Sequence, residues 1–497
     1  MRLSQIDWTN PTLVLRLLLI GCCALAALVW RPAAPFALGL IAIVAISLAV
    51  WVRNATLQLD ARILALLPTA RFWRVHVKTF PLYKGVEIML AAQNILPPNT
   101  RCLALDAAAD EPLAILLAHR RPRPGRPMRK PELVARADGP NSERFLPSDA
   151  FWLVRPGGGR GRGPCIVRVR LVPRYAQVIV EVAAPDNDRA ERLLADLLAY
   201  AGSESVYRNH LLRVTFGPTS GSAYDEEDTV APMDVGFLRE EPVTNEAIVL
   251  EESTQRILEH AVIDFHHRRE ALMQLGVPGK RGVLFYGPPG TDKTYTCRYL
   301  AHRLAPVTTI IATGHALLRM QEICALAAQL QPSLVLLEDV DLVFASRELN
   351  SHNTVLGEFM DQLDGFGALH HVIFVLTTNA IERVEAAIKD RPGRISQCIY
   401  FGPPGPALRR RYLGHQLDAY PQARCDLGAI VAQTEGVSQT FLKELIHRSV
   451  QIASAERPAD TPADVLLEDD HIQAALEELL SGGGPAGRRI IGFRVEA

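Results

Sequence analysis

The sequence is poor in the features that mark disulfide-stapled, zinc-binding and nucleic-acid-binding proteins. Its eight cysteines among 497 residues include no C-x-x-C pair, which argues against a disulfide framework or a zinc ribbon and favours a reducing compartment. No H-E-x-x-H motif is present, so the ligand pattern of a zinc protease is missing. The net charge of −1 implies no general attraction to nucleic acid or to acidic substrates.

The first 54 residues contain two apolar runs that predict a membrane anchor. Residues 17–30 and 36–52 carry no charged side chain, and each is close to the roughly 20 residues that cross a bilayer as a helix. Trp30 and Trp51 lie at the ends of these runs, where interfacial aromatic residues are enriched. We therefore expect a transmembrane helical hairpin over 1–54, with the rest of the chain on the cytoplasmic side of a bacterial inner membrane.

Two alternatives to this hairpin are a cleaved signal peptide and a buried core hairpin. A signal peptide would export the rest of the chain and would leave the second apolar run unexplained.

The region after the hairpin, 55–216, predicts a small α+β domain. Apolar side chains alternate with arginines in 166–171, which is typical of a half-exposed strand. Residues 177–182 predict its hairpin partner, and a helix follows over 189–201. Residues 217–236 are rich in small, proline and acidic residues and predict a linker.

Two arginine-rich stretches of this domain, 119–130 and 157–163, have two interpretations. They could contact an anionic lipid surface beside the anchor, or they could be solvated loops. Nucleic acid is disfavoured as a partner because no aromatic residues interleave the arginines.

A later segment fits the phosphate-binding loop pattern G-x-x-x-x-G-K-[ST] except at its second glycine. Residues 282–286 predict a buried strand before it and 295–304 a helix after it, in the order that such loops need. We expect it to bind ATP, with Lys293 neutralising the β- and γ-phosphates and Thr294 offering its hydroxyl to Mg²⁺. The loop consists of Gly287, Pro288, Pro289, Gly290, Thr291, Asp292, Lys293 and Thr294.

Asp292 replaces the second glycine of the loop and places a carboxylate where the backbone should approach an anion closely. Two like charges roughly 4 Å apart repel by about 4 kcal/mol at an effective dielectric constant near 20. Lys293 and Mg²⁺ would offset part of this repulsion. The loop therefore indicates an ATP site and, at the same residue, raises the possibility that the site is impaired.

Further along, 333–337 predict a central strand that ends in the acids Glu338 and Asp339. With the phosphate-binding loop before it, this strand makes the chain from about residue 242 to 480 resemble an AAA ATPase. Most AAA proteins have Asp-Glu at this point, and the Glu-Asp order resembles the mitochondrial AAA translocases that move a folded Rieske iron–sulfur protein. The resemblance implies that Glu338 helps to hold hydrated Mg²⁺ and that Asp339 polarises the lytic water.

Three further residues match catalytic positions of this family. Asn379 follows a predicted buried strand at 372–376 and matches the polar sensor that positions water near the γ-phosphate. Arg391 and Arg394 match the arginine-finger segment, which acts on the ATP of the neighbouring subunit. The resemblance therefore implies a homo-oligomeric ring, either a hexamer or a heptamer.

The predicted fold class is α/β, with the membrane hairpin and the small α+β domain preceding the ATPase. The resemblance implies a parallel-sheet, ATP-binding large subdomain over 237–402 and a helical lid over 403–480. A tail over 481–497 either contacts a neighbouring subunit or has no fixed structure.

The unfoldases of this family grip extended chains with an aromatic–aliphatic–glycine loop, and no such loop occurs between the phosphate-binding loop and the Glu338 strand. Threading of an unfolded polypeptide is therefore disfavoured, and the missing H-E-x-x-H motif excludes a membrane AAA protease. Two hypotheses remain. The chain is either an ATP-driven, membrane-anchored machine that remodels or moves an unidentified protein substrate, or a scaffolding or regulatory subunit in which Asp292 impairs ATP turnover. A third possibility is an introduced Gly→Asp change at residue 292 of an otherwise competent ATPase.

Overall fold

The structure is a computed structural model in which the chain divides into two compact units, Met1–Val206 and Tyr207–Ala497, called here the N-terminal and C-terminal units. It describes residues 42–44, 46–47, 67, 69–97, 100, 102–105, 112–118, 128–129, 131–154, 164–217, 233–243, 248–342, 370–382, 384, 395–456 and 466–481.

The predicted hairpin at 1–54 lies almost wholly outside the described residues. Within the described part of the chain, no helix has the length and apolar character needed to cross a bilayer. Residues 482–497 of the predicted tail also lie outside it.

The N-terminal unit is built on a six-stranded antiparallel sheet in the order β1-β8-β7-β6-β2-β3. Two further strands pair into a separate hairpin, β4 (Leu133–Ala137) with β5 (Glu143–Pro147). The strands of the main sheet are β1 (Arg74–Pro81), β2 (Cys102–Leu105), β3 (Met128–Arg129), β6 (Asp149–Val154), β7 (Cys165–Val172) and β8 (Gln177–Ala184).

Helices cover both faces of this sheet. Because side chains alternate along a strand, Trp152 of β6 faces a core with α1 (Gly85–Ile95) and α3 (Asn187–Ser203). Its neighbour Phe151 faces a second core with α2 (Leu113–Ala118). A sheet buried on both faces gives β7 no solvent-exposed side.

The prediction of a half-exposed strand at 166–171 is therefore wrong. Arg168 and Arg170 of β7 are 0% and 7% exposed, although charged side chains at alternate positions normally mark a solvated face. The Arg168 guanidinium donates to both carboxylate oxygens of Asp149, at 3.1 and 2.8 Å, and lies 3.5 Å from Glu181. Acidic residues on β6 and β8 thus compensate for burial of the arginines.

The C-terminal unit contains a seven-stranded sheet in the order β10-β9-β12-β13-β14-β11-β15. The five strands β12, β13, β14, β11 and β15 are parallel neighbours, β9 pairs in parallel with β12, and β10 is antiparallel to β9. Their bounds are β9 (Leu211–Phe216), β10 (Met233–Phe237), β11 (Arg281–Tyr286), β12 (Thr308–Thr313), β13 (Ser333–Glu338), β14 (Val372–Thr378) and β15 (Gln397–Tyr400).

Two of these strands begin before the predicted ATPase region, 237–402. Strand β9 falls in the stretch assigned to the middle domain, 55–216, and β10 begins in the predicted linker, 217–236. Both assignments are corrected here: β9 extends the ATPase sheet through main-chain pairing with β12. The signal for this pairing is weak in the sequence because the two strands are almost 100 residues apart.

The helices of this unit fall into two groups. Those beside the sheet are α4 (Glu252–Leu258), which continues through a π-helical segment (Glu259–Asp264) into α5 (Phe265–Gln274), then α6 (Lys293–Arg303) and α7 (Met320–Gln329). The others are α8 (Pro406–Leu417), α9 (Leu427–Gln433), α10 (Gln439–Ala455) and α11 (Asp469–Ser481), which share one apolar core and form the lid.

Candidate nucleotide site

The phosphate-binding loop connects β11 to α6, as the sequence predicts. Gly287 has φ of 150° and Gly290 has φ of 78°, in a region that L side chains rarely adopt. A Cβ at Gly287 would collide with the backbone oxygen of Phe401, and one at Gly290 would lie 2.8 Å from the Ser438 hydroxyl. The backbone of Phe401 therefore requires a glycine at 287, and the positive φ favours one at 290.

Lys293 is folded into this loop. Its ammonium donates to the carbonyl oxygens of Gly287 at 2.9 Å and Pro288 at 2.8 Å, and the residue is 6% exposed. Burial lowers the pKa of Lys293 to about 8, and the nearby charges of Asp339 and Asp341 oppose that shift. The group therefore keeps its proton at neutral pH while its direct bonds are to neutral carbonyls.

Asp292 is the last residue before α6 and adopts the left-handed conformation, with φ of 60° and ψ of 24°. A glycine is the usual residue for this backbone, but aspartate tolerates it better than most. Burial raises the pKa of Asp292 to about 6, and the positive charge of Lys443 in the lid opposes the rise. Burial, and then the charge of Asp292, raises the pKa of Tyr295. Burial and the same charge raise the pKa of Tyr412 on α8.

The remaining loop residues hold the turn. Thr291 donates its hydroxyl to the carbonyl of Pro288 at 2.9 Å, and Pro289 lies exposed between the two glycines. Thr294 is half-buried in the first turn of α6, next to Lys293, as a Mg²⁺-binding hydroxyl requires.

The acids predicted at the end of β13 lie at the carboxyl edge of the parallel sheet. Glu338 is the last residue of the strand, and burial followed by the charge of Asp339 raises its pKa. Asp339 has φ of 52°, a strained conformation of the kind that is concentrated at functional sites. Its amide donates to the Thr377 hydroxyl at 3.0 Å, which ties it to the adjacent strand β14.

Asn379 and Asp339 meet directly. The side-chain amide of Asn379 donates to an Asp339 carboxylate oxygen at 3.1 Å, so the structure brings together two of the residues predicted to act on the lytic water. Arg391 and Arg394, the predicted trans-acting arginines, lie outside the described residues.

One functional residue was not among the sequence predictions. Asp341 is 6% exposed. Its carboxylate accepts hydrogen bonds from the Thr378 hydroxyl at 2.9 Å and from the main-chain amide of Asn379 at 3.1 Å. It therefore fixes the turn that presents the Asn379 side chain. The sequence feature that could have identified it is its position two residues after Asp339, in the acidic segment that follows β13.

The donor set fits a magnesium-bound nucleoside triphosphate. A buried ammonium, a hydroxyl at a helix amino terminus and two acids at the edge of a parallel sheet are the groups that phosphates and hydrated Mg²⁺ prefer. Among the described residues, no carboxylate pairs with Lys293 within 4.0 Å, so its charge is available to an anionic ligand. Asp292 is the one member of the loop whose chemistry opposes such a ligand.

Comparison with known proteins gives the same family. Residues 283–403 match the model of the ATPase family associated with various cellular activities (AAA). This part of the chain is an AAA ATPase domain. The resemblance predicted from the motifs is thereby confirmed at the level of the family, and an AAA domain implies ATP hydrolysis with Mg²⁺ as a general property.

Relatives are similar over parts of their length. The ATPase family gene 2 protein of Schizosaccharomyces pombe is 30% identical over 216 residues, 41% of this chain and 26% of that protein. The 26S proteasome regulatory subunit 8 homolog of the same yeast is 30% identical over 227 residues, 42% of this chain and 55% of that protein. The ATP-dependent zinc metalloprotease FtsH 2 of Symbiobacterium thermophilum is 28% identical over 284 residues, 53% of this chain and 46% of that protein. The chain thus spans at most 55% of the length of these three relatives.

Proposed function

We propose that this protein is a membrane-anchored AAA ATPase that uses ATP binding and hydrolysis to remodel or translocate a protein partner. The observation that carries the ATPase part is the contact between Asn379 and Asp339 at 3.1 Å, at the sheet edge that also presents Lys293. Strained backbone conformations are concentrated at functional sites. The strained Asp339 is bonded to the side chain of the residue that follows the adjacent strand β14.

Each residue has a stated role in this proposal. Lys293 leaves its two carbonyl partners and binds the β- and γ-phosphate oxygens, while the loop amides bind the remaining phosphate charge. Thr294 and Glu338 would hold Mg²⁺ and its water, and the ion would neutralise part of the phosphate charge. Asp339 accepts a proton from the attacking water, and Asn379 orients that water.

The scaffold alternative rests on Asp292 alone. A carboxylate next to the phosphates would weaken nucleotide binding, and the protein would then serve as a regulatory or scaffolding subunit. The other members of the site favour an active enzyme, because Lys293, Thr294, Asp339 and Asn379 are all present and the described part of the site is assembled.

The cellular context is also part of the proposal. The apolar runs within 1–54 support a hairpin anchor in a bacterial inner membrane, with the ATPase on the cytoplasmic side where ATP is available. Arg391 and Arg394 support a hexameric or heptameric ring, since an arginine finger acts on a neighbouring subunit. The Glu338-Asp339 order supports a folded protein as the substrate, as for the Rieske-protein translocases.

The test is ATP binding and hydrolysis by the full-length protein beside its Lys293→Ala and Asp292→Gly variants. The full-length protein is needed because a soluble ATPase fragment starting at Met233 would lack β9. Such a fragment would leave the edge of β12 unpaired. We expect turnover by the wild type, and Lys293→Ala should weaken binding of a fluorescent ATP analogue about tenfold or more, since a charged hydrogen bond contributes about 1.5–3 kcal/mol. If only the Asp292→Gly variant hydrolyses ATP, the proposal of an active ATPase is wrong and the scaffold alternative is favoured.

A further inference from the structure

Strand β14 is the neighbour of both strands that end in the nucleotide site, β11 and β13. Its main-chain pairing with β13 stops at Leu376, opposite Leu337. Its pairing with β11 continues through Thr377 and Thr378 to the last residue of β11. The end of β14 is therefore fixed to the strand that leads into the phosphate-binding loop, while its side next to β13 is left for other bonds.

Thr377 uses that side to hold the segment that follows Glu338. The main-chain amide of Asp339 donates to the Thr377 hydroxyl at 3.0 Å, and the amide of Val340 donates to the Thr377 carbonyl at 2.9 Å. Thr377 is buried, so bulk water does not compete for its hydroxyl. The two donors belong to the peptide groups on either side of the Asp339 Cα, so one residue fixes both of them.

Asp339 needs this support because its backbone is strained. Its φ of 52° lies in the left-handed region, which an L side chain keeps only where the surrounding structure holds it. In this conformation the carboxylate meets Asn379, whose side-chain amide donates to it at 3.1 Å. Without its bond to the Thr377 hydroxyl, Asp339 would be free to leave this conformation and to turn its carboxylate away.

The next residue, Thr378, has a different role. Its hydroxyl donates to Asp341 at 2.9 Å and accepts the main-chain amide of Ala380 at 3.0 Å. Thr378 therefore belongs to the turn that presents Asn379, whereas Thr377 supports the acid that Asn379 contacts.

We propose that Thr377 is a positioning residue of the ATPase reaction, whose hydroxyl holds the backbone of Asp339 so that the carboxylate faces the lytic water. This inference rests on the proposed function, which assigns acceptance of a proton from that water to Asp339. In this role Thr377 touches neither nucleotide nor water and acts only through Asp339. Because β14 also pairs with β11, the same residue sets the place of the acid relative to the phosphate-binding loop.

The test uses three variants of the full-length protein. Thr377→Val keeps the shape of the side chain but removes its hydrogen-bonding oxygen, and Thr377→Ser keeps that oxygen. The matched control is Thr309→Val on β12. Thr309 is also a buried strand threonine, and its hydroxyl has no hydrogen-bond partner among the residues that the structure describes.

We expect kcat for ATP hydrolysis to fall about tenfold or more in Thr377→Val, since small displacements of a catalytic group are costly. The KM for ATP should stay within about twofold of the wild type, because the phosphate-binding loop is unchanged. Thr377→Ser should retain most of the turnover, and Thr309→Val all of it. An unchanged kcat in Thr377→Val, an equal loss in Thr309→Val, or a Thr377→Ser variant as slow as Thr377→Val would overturn the proposal.

Hydrogen exchange at the Asp339 amide supplies a second readout that needs no nucleotide. Thr377→Val should raise its exchange rate about two- to tenfold, the range expected for loss of one hydrogen bond, whereas amides in the middle of β13 should exchange as in the wild type. An unchanged rate at Asp339 would show that Thr377 does not hold this residue and would overturn the proposal. Absence of turnover in the wild type would contradict the proposed function itself, and the exchange rates would still decide whether Thr377 holds Asp339.

Discussion

Charged side chains are buried in both units of the molecule, but they are satisfied in different ways. In the N-terminal unit, Arg168 at 0% exposure has two acidic partners, Asp149 and Glu181. In the C-terminal unit, Lys293 is almost as buried, yet its hydrogen bonds go to two carbonyls. The charge of Arg168 is compensated within the protein, whereas the charge of Lys293 is left for a ligand.

The comparison shows what separates a structural cluster from a binding site. Both sets combine a buried base with acids, and both contain the same types of charged side chain. The arginine network uses its charges internally, which also ties α2 to the sheet, because the Leu113 amide donates to Glu181 at 2.6 Å. The acids near Lys293 are bonded to polar neutral groups, which leaves both signs of charge accessible to phosphate and metal.

The largest effect is expected from a substitution that breaks the buried ion pairs of Arg168 with Asp149 and Glu181. Replacing Arg168 with methionine leaves Asp149 without its cation and Glu181 with Arg170 alone, at 3.4 Å. Removal of one partner from a buried ion pair costs about 3–5 kcal/mol. We expect the free energy of unfolding of the N-terminal unit to fall by that amount in urea titrations. The matched control is Arg144→Met, which breaks the surface pair with Asp138 and should cost under about 1 kcal/mol. Equal losses in the two variants would contradict this account of the arginine network.

A smaller effect is expected at Asp341, which supports the nucleotide site. Replacing it with alanine leaves the Thr378 hydroxyl and the Asn379 amide without their acceptor, at a cost of about 1–3 kcal/mol. The ATPase rate should fall more than nucleotide affinity does, because Asn379 is displaced while the phosphate-binding loop is not. Asp341→Asn keeps an acceptor oxygen and should retain more of both. Unchanged turnover in Asp341→Ala would remove Asp341 from the site.

The smallest effect is a pH dependence of stability from His266 on α5. Burial, then Arg269 and two neighbouring histidines, lower its pKa to about 4, against about 6.5 in an unfolded chain. The unfolded state therefore binds more protons below pH 6.5, so stability is full above that pH and falls between about pH 6.5 and 4. Because the ring is only partly buried, we expect a loss under about 1 kcal/mol at pH 5.

Thermal unfolding of the wild type and His266→Asn at pH 7 and pH 5 measures this effect. The variant should lose less stability on acidification than the wild type. The same substitution at the exposed His302, His302→Asn, is the matched control. A wild type that is more stable at pH 5 than at pH 7 would reverse the sign and contradict the account.

The nucleotide site could be predicted from the sequence where it depends on local pattern. The strand before the phosphate-binding loop, the helix after it and the strand ending at Glu338 are confirmed as Arg281–Tyr286, Lys293–Arg303 and Ser333–Glu338. Each motif sits at a strand end, and parallel strands bring those ends to one edge. The meeting of Asp339 with Asn379 follows from that rule.

Features that depend on distant pairing could not be predicted. The alternation around Arg168 indicates solvent exposure when the strand is considered alone, and only the acids on adjacent strands change that interpretation. Strand β9 has a short apolar pattern that fits either unit, and its pairing with β12 decides the matter. The contact between the phosphate-binding loop and the lid, where Thr440 donates to the Gly290 carbonyl, joins residues 150 positions apart, so no local pattern predicts it.

The central claim is that the charge of Lys293 is held for an anionic ligand. It is tested most directly by Lys293→Met in the full-length protein, with ATP binding and urea unfolding measured on the same sample. The account predicts that ATP binding is lost while the unfolding free energy of the C-terminal unit falls by only about 1–3 kcal/mol, because the Gly287 and Pro288 carbonyls lose one donor. A variant that still binds ATP as the wild type does, or one that loses stability as Arg168→Met does, would contradict it.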